Sequence, residues 1–232
     1  MLKALLTDID GTITDPSRRL NTGAVEAIRS LVDDGVEVVL ASGNTSCFMD
    51  ALCKMIGTQG SFIAENGGVF RVGYTGTLCI KGDQGICRKA LEIVQDYYRE
   101  RGTELVLFSP TYRFADLAFA RMVPVDEVKK ILKDCPVNVL DTGYAIHLQS
   151  PGVDKGTALE ALAQEMGLLP SDFLAIGDSL NDIQMLAKAG IGVTVANAHP
   201  DTKAVVEFIA KKEYGMGFIE AIEKYSSYFR AR

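Results

Sequence analysis

Histidine is scarce in this chain. Only His147 and His199 occur among 232 residues, too few for a histidine-built metal site. The five cysteines, Cys47, Cys53, Cys79, Cys87 and Cys135, are odd in number and contain no CxxC pair. That pattern argues against a disulfide framework and against a zinc cluster. Cys47 and Cys53 fall on an expected helix and read as small core residues. Blocks of Lys and Arg are missing from a sequence of net charge −6, so no surface for nucleic acid or anionic membrane is expected. A small anionic substrate stays compatible, because the local field at a site outweighs global charge. No apolar run approaches the roughly 18 residues of a membrane span. Asp8 and Asp10 interrupt the N-terminal apolar stretch and leave no signal-peptide core, so the expected location is the cytoplasm. Low-complexity tracts are absent too.

What is present supports a packed protein. Hydrophobic residues make up 47% of the chain, enough for a core and unlike the composition of disordered segments. The length allows one large domain or two modest ones.

The first part of the chain alternates strand and helix. Strands are expected over 2–7, 36–40 and 61–64, with helices over 22–34 and 45–56. The first helix repeats Val25, Ile28, Leu31 and Val32 at helical spacing and stops at Gly35. Such alternation implies a parallel sheet. The rhythm changes after Gly67-Gly68. A small hairpin is expected from Val69-Phe70 and residues 77–80. Next come a helix near 84–100, a strand near 104–108, an apolar stretch near 113–122, a helix from about Pro124 to Lys133, and strands near 137–141 and 144–149. That order fits helices laid on one face of an antiparallel sheet. From Asp154 the first rhythm resumes, with helices over 155–166, 182–188 and 201–209, strands over 173–177 and 191–195, and a last helix from near Gly217. The expected fold class is therefore α/β. It has a Rossmann-like core with a parallel sheet, residues 1–81 and 153–232, interrupted by an inserted α+β unit over 82–152.

Four segments carry polar residues out of keeping with what precedes them. The first is Asp8-Ile9-Asp10-Gly11-Thr12, closing the apolar run Leu2 to Leu6. Side chains two apart on a strand share a face, so Asp8 and Asp10 emerge together. Two carboxylates about 4 Å apart repel by roughly 4 kcal/mol at an effective dielectric near 20, which a hard cation between them would relieve, Mg²⁺ above all. The second segment is Ser42-Gly43-Asn44, after Val38 to Ala41. The third is Asp154-Lys155-Gly156, at a helix start. The fourth is Asp178-Ser179-Leu180-Asn181-Asp182, after Phe173 to Gly177. In an open α/β sheet, ligands bind outside the carboxyl ends of the strands, so these segments should meet at one edge. Asp8, Asp10, Asp178 and Asp182 supply oxygens for a hard cation. Ser42, the Gly43 amide and Lys155 supply donors and one positive charge. That set suits a phosphoryl group bridged to Mg²⁺. Asp8 is then the candidate nucleophile and Asp10 the candidate general acid and base.

Taken together, DIDGT, SGN, the lysine of DKG and GDSLND resemble the four motifs of the haloacid dehalogenase superfamily, in order and over essentially the whole chain. The insert between the second and third motifs is similar to the large α/β cap of one subgroup, as are Ala64-Glu65-Asn66-Gly67-Gly68 and Ala196-Asn197-Ala198. The resemblance implies a phosphatase using Mg²⁺ and an aspartyl-phosphate. It implies Asp8, Asp178 and the Asp10 carbonyl as metal ligands, Asp182 at or just behind the metal, and Ser42, Gly43, Asn44, Lys155 and Asn181 around phosphate and substrate. Asn44 stands where many relatives have arginine. The compact cap, SGN and the segment Gly143 to Leu148 look most like the archaeal phosphoglycolate phosphatases, which implies 2-phosphoglycolate as substrate. A sugar-phosphate phosphatase or a phosphomutase is the alternative, and a phospho-aspartate signalling module a remote one. Within the cap, Arg113 and His147 are the candidates for reading a carboxylated substrate, since such a substrate wants a cationic partner. The expected partner is a small phosphorylated metabolite, with neither nucleic acid nor membrane. A homodimer through Cys87 or exposed apolar cap residues is left open.

Overall fold

The computed structural model describes residues 1–229. In chain order its strands are β1 (Ala4–Asp8), β2 (Glu37–Ala41), β3 (Phe62–Ala64), β4 (Val69–Arg71), β5 (Cys79–Ile80), β6 (Leu117–Ala120), β7 (Asn138–Asp141), β8 (Ala145–Gln149), β9 (Phe173–Gly177), β10 (Ile191–Thr194) and β11 (Phe208–Ile209). The helices are α1 (Thr22–Asp33), α2 (Ser46–Ile56), α3 (Gln84–Arg99), α4 (Val125–Ile131), α5 (Lys155–Glu165), α6 (Ile183–Lys188), α7 (Pro200–Lys203) and α8 (Tyr214–Tyr225).

Every residue of β1 is buried, so both faces of the sheet at this strand must be covered. Leu5 packs into a cluster with Ile28 of α1, Met49 of α2 and Phe218 of α8. Ala4 and Leu6 point the other way, into a cluster with Leu159 and Leu162 of α5 and Met185 of α6. Asp8 has the parity of Ala4 and Leu6 and so projects on the α5 side. The sheet has eight strands in the order β11-β10-β9-β1-β2-β3-β4-β5. The pairings from β11 to β3 are parallel, and β4 and β5 are added antiparallel. With β1 between β9 and β2, the carboxyl ends of these three strands lie side by side, and Asp8 pairs in register with Ala41.

Between α3 and β8 the chain builds a second sheet, antiparallel in the order β6-β8-β7. Its alternation is clean. Leu117, Phe119, Ile146 and Leu148 pack with Val94 of α3 and Val128 of α4 in a cluster of their own. Ala118, Ala145, His147 and Gln149 take the opposite face. That face meets the first sheet: Gln149 Nε2 donates to the Glu65 carbonyl at 3.4 Å.

Several expected elements differ. The stretch 104–108 forms one bridge, Leu107 with Phe119, flanked by the Phe108–Ala118 and Val106–Ala120 backbone bonds at 2.8 Å. Ser109 at φ 51° and Pro110, which has no N–H to donate, end the pairing there. The helix expected over 201–209 stops at Lys203, and Phe208-Ile209 become edge strand β11 instead. Valines, Phe and Ile there favour a strand, and Phe208 packs edge-on to Tyr225 at 6.0 Å. The last helix starts at Tyr214, three residues before the expected Gly217. Cys53 is buried as expected, but Cys47 is exposed in the first turn of α2. Cys87 is buried in α3, so it presents no surface for a dimer. Among the described residues no helix is long and apolar enough to cross a membrane.

Phe119 of β6 is fully buried in the cluster between the second sheet and helices α3 and α4. Phe119→Ala should cost about 3–5 kcal/mol of stability, read as a lowered urea midpoint.

Candidate active site

Asp154 caps α5, accepting from the Thr157 amide at 2.8 Å while Thr157 Oγ1 accepts from the Asp154 amide at 3.1 Å. This reciprocal cap fixes Lys155 at the first turn, with its side chain under the end of β1. The ammonium is fully buried and donates to Asp8 Oδ1 and to Asp182 Oδ1, both at 2.6 Å. Burial alone would push a lysine down; the two carboxylates outweigh it and hold this ammonium above its ordinary range. The other Asp182 oxygen accepts from the amides of Asp178 and Ser179 at 3.0 and 2.9 Å and from Ser179 Oγ at 3.2 Å. Both Asp182 oxygens are therefore committed within the protein.

Asp8 and Asp178 are different. Asp8 Oδ2 is buried and has no hydrogen-bond partner among the described residues. Burial, then the charge of Asp182, raise the Asp8 carboxyl well above the usual range, against the pull of Lys155. Asp178 accepts from Thr12 Oγ1 at 3.3 Å, and burial, with Asp182 next, pushes it up to about 7. Gly11 passes so close that a Cβ there would lie 2.4 Å from Asp178 Oδ2, and its φ of +91° belongs to glycine. Carboxylate oxygens of Asp8, Asp178 and Asp182 come within 4.8 Å of one another. An orphaned carboxylate oxygen beside further buried acids is costly on its own. An all-oxygen set of this kind fits a hard divalent cation.

β1 ends at Asp8, so Asp10 lies past the strand and takes another partner. Asn44 Nδ2 donates to Asp10 Oδ2 at 3.2 Å and to Ser42 Oγ at 3.0 Å, and the Asn44 amide donates to the same hydroxyl at 3.1 Å. The asparagine thus ties the loop after β2 to the loop after β1. Asp8, Asp10, Ser42, Gly43, Asn44, Asp178 and Asn181 all line one cavity of about 650 Å³. Lys155 and Asp182 sit behind its wall.

The second sheet forms the roof of that cavity, through residues that sequence reasoning mostly missed. The Glu65 carboxylate is fully buried and accepts from three successive amides, Phe114, Ala115 and Asp116, at 2.8–3.1 Å. Burial, then the charge of Asp116, raise it to about 7. Asn66 Nδ2 lies 3.2 Å from His147 Nδ1, and the Asn66 Oδ1 accepts from Asn181 Nδ2 at 2.9 Å. His147 Nδ1 also lies 2.8 Å from Asp116 Oδ2. Burial pushes Asp116 up, but His147 and Arg113 outweigh it and hold the carboxyl below its usual range.

Arg113 lines the cavity but is not a free cation. Its guanidinium is paired with Asp116, donates from Nε to the Phe108 carbonyl at 3.0 Å, and from both terminal nitrogens to the Gly43 carbonyl at 3.3 and 3.4 Å. Its charge is spent on joining the two sheets. His147 is likewise engaged, with Asp116 and Asn66. Asp116 left no readable signal in the sequence, and Thr12 and Glu65, though inside the motifs DIDGT and AENGG, had no contact legible from spacing. Glu65 and Asn66 are adjacent non-glycine residues at φ 50° and 52°, a conformation that spacing does not betray. Asn197 adds a brace, donating to the Gly11 carbonyl at 2.9 Å and accepting from the Tyr214 amide at 2.7 Å.

A doubly covered, mainly parallel sheet, with an acidic cluster, a buried lysine and a hydroxyl donor gathered at its carboxyl edge, defines a phosphoryl-handling centre on a Rossmann-like sheet. The model of the haloacid dehalogenase-like hydrolase family matches residues 5–115 and 124–222, and the chain belongs to that family. It is 59% identical to a protein of Methanoculleus marisnigri named phosphoglycolate phosphatase, and 47% identical to one of the same name from Methanospirillum hungatei, each match covering the full length of both chains. Among solved structures it is similar to Thermoplasma acidophilum 0175, with a TM-score of 0.86 and 30% identity over 97% of this chain and 99% of that one.

The raised carboxyls give the site a pH signature. Between about pH 4 and 7 the folded protein holds protons on Asp178 that the unfolded chain would release. Metal-free stability from this group is therefore full at low pH and lost as pH rises through about 7. A divalent cation must displace those protons. The thermal shift on adding a fixed concentration of MgCl₂ should grow from pH 5.5 to pH 8 and then level off. Asp178→Asn should abolish most of that rise.

Proposed function

We propose that this enzyme is a Mg²⁺-dependent phosphatase that hydrolyses 2-phosphoglycolate to glycolate and phosphate through an aspartyl-phosphate on Asp8, in the cytoplasm. One observation carries the reading: Asp8 lines the cavity with one oxygen fixed by Lys155 and the other buried without a partner among the described residues. A carboxylate oxygen so placed is held for attack, with its rotation stopped by the ammonium. The relatives named phosphoglycolate phosphatase support the substrate.

Asp8 attacks phosphorus, forming the O–P bond as the bond to the ester oxygen breaks. Asp10 gives its proton to the leaving oxygen, releasing glycolate, and then takes a proton from the water that hydrolyses the aspartyl-phosphate. Asn44, on one oxygen of Asp10, leaves the other for that exchange. Ser42 Oγ and the Gly43 amide hold the phosphoryl oxygens, and Lys155 pulls the Asp8 carboxyl toward its ionised form, against burial and the charge of Asp182. Asn181, anchored by Asn66, stands at the wall beside the substrate. Asp8, Asp178 and the Asp10 carbonyl would hold Mg²⁺, with Asp182 behind them. When bound, the ion supplies positive charge that offsets repulsion between the carboxylate nucleophile and the phosphate dianion.

Residues 82–152 act as a cap over a core of residues 1–81 and 153–232. Closed, the cap keeps water from the attack; displaced, it admits water for the second step. The cavity of about 650 Å³ has room for a larger ester, and this favours a sugar phosphate as the second reading, hydrolysed or passed on as by a phosphomutase.

The test is phosphate release with Mg²⁺ from 2-phosphoglycolate, glucose 6-phosphate, glucose 1-phosphate and p-nitrophenyl phosphate. Release should be selective for phosphoglycolate, and Asp8→Asn should lower it by about 10³-fold or more. Preference for a sugar phosphate would replace the substrate and keep the chemistry. Conversion of glucose 1-phosphate to glucose 6-phosphate without free phosphate would replace hydrolysis by transfer.

A further inference from the structure

Two arginines line the cavity, Arg113 and Arg18. Arg113 is neutralised by Asp116 and has its donors occupied, as described above. Arg18 has the opposite character. Among the described residues no carboxylate pairs with it, and its guanidinium rests on the ring of Tyr144, 4.0 Å from the centroid. Tyr144 belongs to the turn between β7 and β8, so the contact spans the cavity from the β1 side to the second sheet.

The loop that carries Arg18 is built to hold it there. Asp15 Oδ1 accepts from the amides of Ser17 and Arg19 at 2.8 and 3.0 Å, and its Oδ2 accepts from Arg19 Nε at 3.0 Å. The backbone closes with Arg18 N to Asp15 O and Asp15 N to Arg19 O, both at 2.9 Å. Of two adjacent arginines, Arg19 is consumed by the loop and Arg18 is left over. Arg18 sits at φ 61°, a left-handed conformation that costs a non-glycine residue about 1 kcal/mol or more. The loop bears that strain, and what it obtains is an uncommitted cation at the cavity.

The acidic floor makes the cation matter. Asp8, Asp10 and Asp178 all face the same space, and burial followed by the influence of Asp10 and Asp178 keeps the Tyr144 phenol above its usual range, against the pull of Arg18. A second anionic group on the substrate, away from the phosphate, would meet net repulsion unless a guanidinium received it.

We propose that Arg18, braced by the Tyr144 ring, is the specificity residue that binds the carboxylate of the phosphorylated acid. The planar guanidinium can present two parallel N–H donors to a carboxylate, and the ring keeps its face covered while its edge stays available. Selection of a carboxylated ester is thereby tied to the roof being in place, because one half of the clamp comes from each sheet. The substrate class rests on the phosphatase reading above; the carboxylate subsite itself does not.

The experiment compares 2-phosphoglycolate with 2-hydroxyethyl phosphate, which replaces the carboxylate by a hydroxymethyl group. Arg18→Gln should lower the ratio of kcat/KM for the first ester over the second by at least about tenfold, mainly through KM for phosphoglycolate. Arg18→Lys should retain part of the ratio and Tyr144→Phe most of it, while Tyr144→Ala should lose it. Equal losses on both esters in Arg18→Gln would overturn the proposal, showing the loop to be merely structural. Calorimetric binding of both esters to Asp8→Asn, with and without Arg18→Gln, separates this from the reaction. An Arg18-dependent preference for phosphoglycolate in binding, with no turnover by the parent protein, would keep the subsite and overturn the phosphatase reading. Binding indifferent to Arg18 would overturn the subsite whatever the turnover.

Discussion

The buried Lys155 ammonium is the interaction on which the rest of the structure hangs. It joins the end of β1, the start of α5 and the turn after β9, three pieces far apart in sequence. A buried unpaired lysine would be intolerable, and so would the cluster of aspartates without it. Each therefore fixes the other. The ammonium takes one oxygen of Asp8 and one of Asp182, and backbone amides finish Asp182. The remaining Asp8 oxygen has no partner among the described residues, and Asp178, held by Thr12 at 3.3 Å, lines the cavity beside it. Chemistry is concentrated at these two carboxylates.

The same logic extends upward through polar side chains rather than apolar packing. Gln149, His147, Asp116 and Arg113 lie on the inward side of the second sheet and meet Glu65, Asn66 and the Gly43 carbonyl below. The junction between the sheets is thus a hydrogen-bonded network, directional and sensitive to small displacements. Asn181 shares it through Asn66, so the loop that carries Asp178 and Asp182 is in touch with the roof. Movement of the roof would be felt at the acidic cluster without any long relay.

Much of this was legible in the residues. The parallel strands announced themselves as apolar runs, and the polar residues at their ends converge because the sheet aligns those ends. Parity along β1 puts Asp8 on the α5 side with Ala4 and Leu6, but it does not carry to Asp10, which lies past the end of the strand. Legibility failed where tertiary contact overrides local pattern. Residues 104–108 look like a strand but reach a single bridge, because Ser109 and Pro110 turn the chain away. Residues 205–209 look helical by spacing, yet Phe208 is drawn to Tyr225 and the segment extends. Arg113 reads as a free cation from its charge; only the fold reveals Asp116 three residues on, in the same buried pocket. Arg18 and Arg19 are indistinguishable in sequence, and the Asp15 turn alone decides which is spent.

The eight-stranded sheet ends on both sides in strands of two residues, β11 and β5. A long central strand left at an edge would offer a ladder of open amides and carbonyls to any neighbouring chain. Here the apolar, β-rich interior strands are fenced by stubs too short to template a cross-strand partner. The fold thereby gains colloidal safety: crowded copies cannot readily join sheet to sheet. Assembly of this protein must use side-chain surfaces, not the extension of its main sheet.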